Sequence, residues 1–107
     1  MLVSLDFGPR ILFFGSPDGK NQLFINLKDF QAGDKPDSFK VYGGHRLWTA
    51  PEDPQTTYIA DNDAVQWRQD GTDLQIIQPA NQRQPLEKEF HIHMETDSPV
   101  VSIHHYL

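Results

Sequence analysis

Two runs of residues that favour β-strands flank the dipeptide Asp70-Gly71. These runs are residues 64–69 and residues 72–78, and apolar side chains recur among polar ones in both. Asp-Gly between two such runs is a strong signal for a hairpin with a two-residue primed turn, because glycine accepts the positive φ that this turn needs. The sequence therefore predicts two antiparallel strands joined at Asp70-Gly71. Trp67 on the first strand could be a platform on which a sugar ring stacks, but we favour a place in the core, which is more common for a tryptophan on a hairpin strand.

A second stretch, residues 86–95, alternates strictly between apolar and polar side chains. One face of the predicted strand carries Phe90, Ile92 and Met94, and the other carries Glu89, His91, His93 and Glu95. Further strands are predicted over residues 2–7, 10–14, 23–27 and 100–107, with 10–14 central in its sheet, a type I turn over 16–19 and a surface loop over 28–38. The pattern contains no convincing helix. It is typical of a single all-β domain over residues 1–107, an antiparallel β-sandwich.

Charge and cysteine content exclude several function classes. The formal net charge is −6, from 9 basic and 15 acidic residues. Because basic residues form no cluster, we expect no nucleic-acid partner and no anionic membrane surface as a partner. No apolar run approaches the roughly 20 residues that span a bilayer. Cysteine is absent, which excludes disulfides and cysteine zinc sites and favours the cytoplasm, where thiols stay reduced.

The segment from Tyr42 to Pro54 concentrates functional residue types. Two adjacent glycines, Gly43 and Gly44, let the backbone bend sharply or approach another group closely. After them come His45, Arg46, Trp48 and Glu52, which supply an imidazole, a planar fork of donors, a flat aromatic face and a carboxylate. One interpretation is a substrate-binding cluster for a polar, ring-shaped ligand such as a sugar, formed by His45, Arg46 and Glu52. The alternative is an Arg46–Glu52 ion pair that ties down a loop, with Trp48 in the core.

The order of several motifs resembles that of a known family. Residues 8–12 read Gly-Pro-Arg-Ile-Leu, a polar turn containing Asp18-Gly19 leads into residues 21–24, and the Gly-Gly-His-Arg-Leu-Trp segment begins at Gly43. This order resembles the start of galactose mutarotase-like (aldose 1-epimerase) domains, and residues 43–52 are similar to an uncharacterised subgroup of that superfamily. In classical members, the corresponding position carries an Asn-Arg motif that touches the sugar.

The resemblance implies a β-supersandwich fold and a carbohydrate substrate. It also implies sugar mutarotation or epimerisation in the complete protein, by acid–base chemistry on a hemiacetal. The family's catalytic His and Glu have no counterpart in this chain, so the catalytic residues stay unknown and we expect no catalysis by the chain alone. We expect no cofactor and no metal. The resemblance also implies that the chain is the leading part of a larger supersandwich domain, and we expect homo-oligomers that form through its open sheet edges.

Two other functions remain open. Residues at alternate positions of a strand share one face, so His91, His93 and Glu95 could converge on a divalent metal, joined by His104 or His105. This set predicts a small metal-dependent, cupin-like β-barrel enzyme. The same spacing also describes the solvent-facing side of an ordinary amphipathic strand, which we favour. The other function is a non-enzymatic sugar-binding or assembly module.

Overall fold

The structure, a computed structural model, describes residues 1–31, 38–60 and 63–107. These described residues form one five-residue helix, α1 (Leu27–Gln31), and seven strands. The strands are β1 (Leu2–Ser4), β2 (Arg10–Phe13), β3 (His45–Arg46), β4 (Gln66–Asp70), β5 (Asp73–Gln78), β6 (Lys88–Met94) and β7 (Val101–Tyr106).

The strands form two sheets in which every pair of neighbours is antiparallel. One sheet has the order β1-β2-β3, so β2 is central as predicted, and the other has the order β4-β5-β6-β7. Consecutive strands are therefore neighbours throughout the larger sheet. The all-β, sandwich-like architecture predicted from the sequence is confirmed.

The hairpin of β4 and β5 is confirmed, but its turn lies one residue later than predicted. Asp70 pairs with Asp73, so the two loop residues are Gly71 and Thr72. Gly71 has a φ of 56°, and no non-glycine residue in the described part of the chain has a positive φ. A glycine with positive φ at the first loop position fits a type II′ turn, which suits the twist of a hairpin.

The core lies between the two sheets. Ile11 of β2 packs in one cluster with Ile76 of β5 and with Phe90 and Ile92 of β6. The alternation predicted for β6 is confirmed, since Phe90 and Ile92 are buried while the imidazole of His91 on the opposite face is exposed. This arrangement gives the larger sheet an inner face against the smaller sheet and an outer face toward solvent.

Strand β4 departs from the predicted core. All five of its residues are exposed, and Trp67 keeps 54 % of its surface accessible. The interpretation of Trp67 as a core residue was therefore wrong. The physical reason is position, because β4 is an edge strand of its sheet and has a neighbouring strand on one side only.

A close backbone approach explains the two adjacent glycines. Gly43 and Gly44 have φ values of 82° and 75°. A Cβ on Gly43 would lie 2.2 Å from the carbonyl oxygen of Phe24, and a Cβ on Gly44 would lie 2.4 Å from that of Ile11. The buried Arg10 side chain donates from Nη1 to the Gly43 carbonyl over 2.6 Å. A larger residue at Gly44 would push β3 away from β2, and a larger residue at Gly43 would push the chain away from Phe24.

The strand predicted over residues 23–27 was wrong. Here the chain makes a single bridge between Ile25 and Gly43, and the N–H of Asn26 donates to the carbonyl of Tyr42 over 2.9 Å. The helix α1 begins directly afterwards at Leu27, so the residues after Asn26 cannot continue the strand pairing.

The loop predicted over residues 28–38 was wrong for its first residues, which belong to α1. A helix this short is not stable alone, and packing must supply its stability. The ring of Phe30 on α1 packs against the ring of Tyr42, with centroids 4.9 Å apart. The rest of the predicted loop, residues 32–37, lies outside the described residues. Among those described, no helix is long and apolar enough to cross a membrane.

Candidate functional site

Strand β3 sends its two side chains in opposite directions. Neighbouring residues of a strand point to opposite faces of the sheet. His45 faces the larger sheet, where its ring lies 5.7 Å from Phe90 and 5.0 Å from His105 between centroids. Arg46 faces away from that sheet, and its guanidinium carbon lies 4.3 Å from the ring centroid of Trp48. The structure therefore separates two of the three predicted substrate-binding residues.

Glu52, the third predicted residue, and Arg46 both contact the side chain of Trp48. The indole Nε1–H of Trp48 donates to Oε1 of Glu52 over 3.0 Å. The hydroxyl of Tyr58 donates to Oε2 of the same carboxylate over 2.8 Å. This second hydrogen bond is the main reason why the pKa of Tyr58 is raised, because a donor to a carboxylate holds its proton more tightly.

Three aromatic rings surround these polar groups. Phe39, Trp48 and Tyr58 pack pairwise edge to face, with centroids 5.3 to 5.7 Å apart, the geometry that aromatic pairs prefer. The guanidinium of Arg46 also lies 5.5 Å from the ring of Phe39. We call the group of Phe39, Arg46, Trp48, Glu52 and Tyr58 the aromatic–carboxylate cluster. Tyr58 is 42 % exposed and Glu52 is exposed, so a solute can reach the cluster.

A hydrogen-bonded loop holds Glu52 and Tyr58 together. The backbone N–H of Thr57 donates to the carbonyl of Asp53 over 2.8 Å. In the other direction, the N–H of Asp53 donates to the hydroxyl of Thr57 over 2.9 Å. The carboxylate of Asp53 also accepts from the N–H of Gln55, which is the local turn that Asx residues form. Thr57 itself is buried, so it holds this loop against the protein interior.

The predicted metal ligands lie on the outer face of the larger sheet. His91 of β6 is the cross-strand partner of His104 of β7. Each β6 imidazole, however, already contacts a carboxylate. Nε2 of His91 lies 2.5 Å from Glu89, and Nδ1 of His93 lies 2.7 Å from Asp73. Glu95, the predicted carboxylate ligand, lies 3.9 Å from Nε2 of His93.

These carboxylate–imidazole pairs shift pKa values in opposite directions. The pKa of Glu89 is lowered, first by the hydrogen bond from Gln75 and then by that from His91. The pKa of His93 is raised, chiefly by its hydrogen bond to Asp73. Across residues 1–31, 38–60 and 63–107, no three His, Asp or Glu side chains are arranged to hold a metal ion.

The outer face also carries a shallow groove of about 560 Å³. Charged and imidazole groups line it together with Gln75, namely Arg68, Asp73, His91, His93 and His104. The groove is broad and open, and its polar side chains largely contact one another. It is therefore a second surface that a polar solute can reach, on the side of the larger sheet that faces away from the core.

Sequence reasoning missed two residues of the aromatic–carboxylate cluster, and it named His105 only as a possible metal ligand beside His91 and His93. Phe39 and Tyr58 join Trp48 only through the tertiary fold, and no motif in the sequence links them to it. His105 meets His45 across the two sheets, 60 positions apart in the chain. The separation of His45 from Arg46, by contrast, had a signal in the sequence, because strand parity already assigns adjacent residues to opposite faces.

We compared the chain with protein-family models, with curated proteins and with solved structures. None of the three comparisons gives a match.

Proposed function

We propose that this chain is a carbohydrate-binding domain whose sugar site is the aromatic–carboxylate cluster. One observation carries the proposal: the Glu52 carboxylate is held by Trp48 and Tyr58 while Arg46 lies over the same indole. The cluster thus combines a carboxylate, a guanidinium and aromatic faces in one accessible place. Small-molecule sites typically pair aromatic lining with a few oriented polar groups.

Each group has a definite role toward a sugar. The Glu52 carboxylate accepts hydrogen bonds from sugar hydroxyls and has lone pairs left after binding Trp48 and Tyr58. Arg46 donates to hydroxyl oxygens, or in paired fashion to the carboxylate of a hexuronic acid. The exposed flank of Tyr58 offers an apolar face to the C–H groups of the sugar ring. The hydrogen bonds within the cluster hold these groups in place before the ligand arrives, which reduces the entropy cost of binding.

The resemblance to aldose 1-epimerases supports a sugar as the ligand, because the cluster contains the segment that is similar to that family. We propose binding without catalysis by the chain alone, and mutarotation or hexose epimerisation in a complete protein. We also propose a cytoplasmic location, in line with the absence of cysteine. Self-association would occur through the edge strands β4 and β7 of the larger sheet, since an edge strand presents backbone groups that can pair.

The test uses tryptophan fluorescence, because the chain has two tryptophans and Trp67 lies on β4. The variant Trp67→Phe leaves Trp48 as the reporter. We expect a saturable change in its emission with galactose, glucose or galacturonic acid. Glu52→Gln should weaken binding about 10-fold or more, because a hydrogen bond to a charged group contributes about 1.5–3 kcal/mol.

The matched control is Glu95→Gln, which neutralises an exposed carboxylate on the outer face and should leave the affinity unchanged. Tyr58→Phe keeps the ring and removes the hydroxyl, so it should weaken binding less than Glu52→Gln. Equal affinities in the Glu52→Gln and parent proteins would overturn the proposed site. The absence of any saturable response to the three sugars would overturn carbohydrate binding itself.

A further inference from the structure

The two sheets meet at a pair of imidazoles that the proposed sugar site does not use. His45 lies on β3 of the smaller sheet and His105 on β7 of the larger one. Their Nε2 atoms are 3.1 Å apart. The Phe90 ring lies 5.7 Å from the His45 ring and 4.4 Å from the His105 ring between centroids, so both imidazoles have an apolar support that limits their movement.

This separation of nitrogens suits a transition metal ion. Imidazole nitrogens bind Zn²⁺ at about 2.0–2.1 Å, so two of them lie about 2.9 Å apart at a right angle and about 3.3 Å apart at the tetrahedral angle. The observed 3.1 Å falls between these limits. An ion therefore needs only a small movement of the rings to replace the N–H···N hydrogen bond that now joins them.

We propose that His45 and His105 form a two-imidazole site for a divalent transition metal ion that links the two sheets. Water completes the coordination. Cu²⁺ should bind more tightly than Ni²⁺ or Zn²⁺, as expected for imidazole ligands. Both rings would then carry their proton on Nδ1 and present Nε2 to the ion, so the ring that now donates changes tautomer and no net proton is released at neutral pH.

The surroundings keep both ligands in their neutral, metal-binding form. Burial lowers the pKa of His45, and His105 lowers it further. Burial also lowers the pKa of His105, with a second contribution from the charge of His104. The residues paired directly with them, Ile11 on β2 and Phe90 on β6, are apolar and buried. The imidazoles of the outer face differ, because His91 and His93 contact carboxylates.

The ion also has access to the site. His105 is exposed on the edge strand β7, and His45 is half-buried. The chain contains no cysteine that would compete for a soft metal. This inference is independent of the sugar proposal, because His45 points away from the aromatic–carboxylate cluster.

Thermal unfolding with added metal tests the site on the whole chain. An ion that binds the folded state at 100 times its Kd should raise Tm by about 10 °C or more for a domain of this size. We expect such a rise with Cu²⁺ at pH 7.5, smaller rises with Ni²⁺ and Zn²⁺, and reversal by EDTA. At pH 5 the rise should disappear, because protonated imidazole does not bind metal.

His105→Gln should abolish the rise, and so should His45→Gln. The matched control is the double variant His91→Gln/His93→Gln, which removes two outer-face imidazoles and should keep it. If His45→Gln does not fold, NMR of the parent protein with Cu²⁺ replaces it, and the Phe90 and Ile11 amide signals should broaden first. A metal effect that persists in His105→Gln, disappears in the control or is absent throughout would overturn the site.

Discussion

The close approach of β3 to β2 depends on Gly44, and substitution of this glycine tests that dependence. Its φ of 75° is a conformation that costs other residues about 1–2 kcal/mol. An alanine Cβ would in addition lie 2.4 Å from the Ile11 carbonyl oxygen. Relief of that contact requires a backbone movement of about 1 Å, which would open the two residue pairs that join β2 to β3 and lose about 1 kcal/mol for each hydrogen bond. Gly44→Ala should therefore lower the free energy of unfolding by about 3–4 kcal/mol.

Gly71 provides the matched control, because it also has a positive φ but has no neighbouring atom within 4 Å of its would-be Cβ. Gly71→Ala therefore carries the conformational cost alone, about 1–2 kcal/mol. Urea unfolding followed by circular dichroism measures both variants. If the two substitutions lower the free energy of unfolding equally within about 0.5 kcal/mol, the close approach at Gly44 contributes nothing to stability, contrary to this prediction.

Three further predictions concern the larger sheet. Phe90→Ala should lower the free energy of unfolding in urea by about 3–5 kcal/mol, because Phe90 is fully buried. Met94→Ala should lower it far less, because Met94 is 39 % exposed. Similar losses in the two variants would contradict the assigned faces of β6. The pKa of His93, measured by NMR, should lie above 6.5 and should fall in the Asp73→Asn variant. The stability that this pair contributes is therefore present below pH 6.5 and is lost as the pH rises through the raised pKa. An unchanged His93 pKa in Asp73→Asn would refute the pair. Light scattering should detect dimers of the parent protein, and Ser102→Lys on the edge strand β7 should disrupt them, because a lysine on an edge strand disfavours pairing with a second chain. A parent protein that stays monomeric at all concentrations would exclude self-association.

The parts of the fold that the sequence predicts are those set by local pattern. The hairpin of β4 and β5 follows from a turn dipeptide between two strand-like runs, and β6 follows from strict alternation over its whole length. The strand predicted over residues 23–27 failed because an apolar run does not reveal how much of it finds a partner. The exposure of Trp67 was missed for a related reason, since a residue type does not say whether its strand lies at the edge or the centre of a sheet.

The candidate site shows the same division. The sequence analysis identified Arg46 and Glu52 as candidate binding residues. In the structure, Trp48 contacts both of them. The sequence alone could not predict that Phe39 and Tyr58 belong to the cluster, because their contacts with Trp48 form only when separate segments of the chain fold onto each other. His45 was grouped with Arg46 by closeness in the sequence, although strand parity assigns the two side chains to opposite faces.

Sugar binding at the aromatic–carboxylate cluster can be measured residue by residue in an amide NMR titration. The two indole N–H signals report on two separate surfaces, since Trp48 lies in the cluster and Trp67 on β4. With galactose, glucose or a hexuronic acid, we expect saturable shifts at the Trp48 indole and the Arg46 amide and none at the Trp67 indole. Shifts confined to the outer face around His91 and His93, or no shifts at any position, would contradict it.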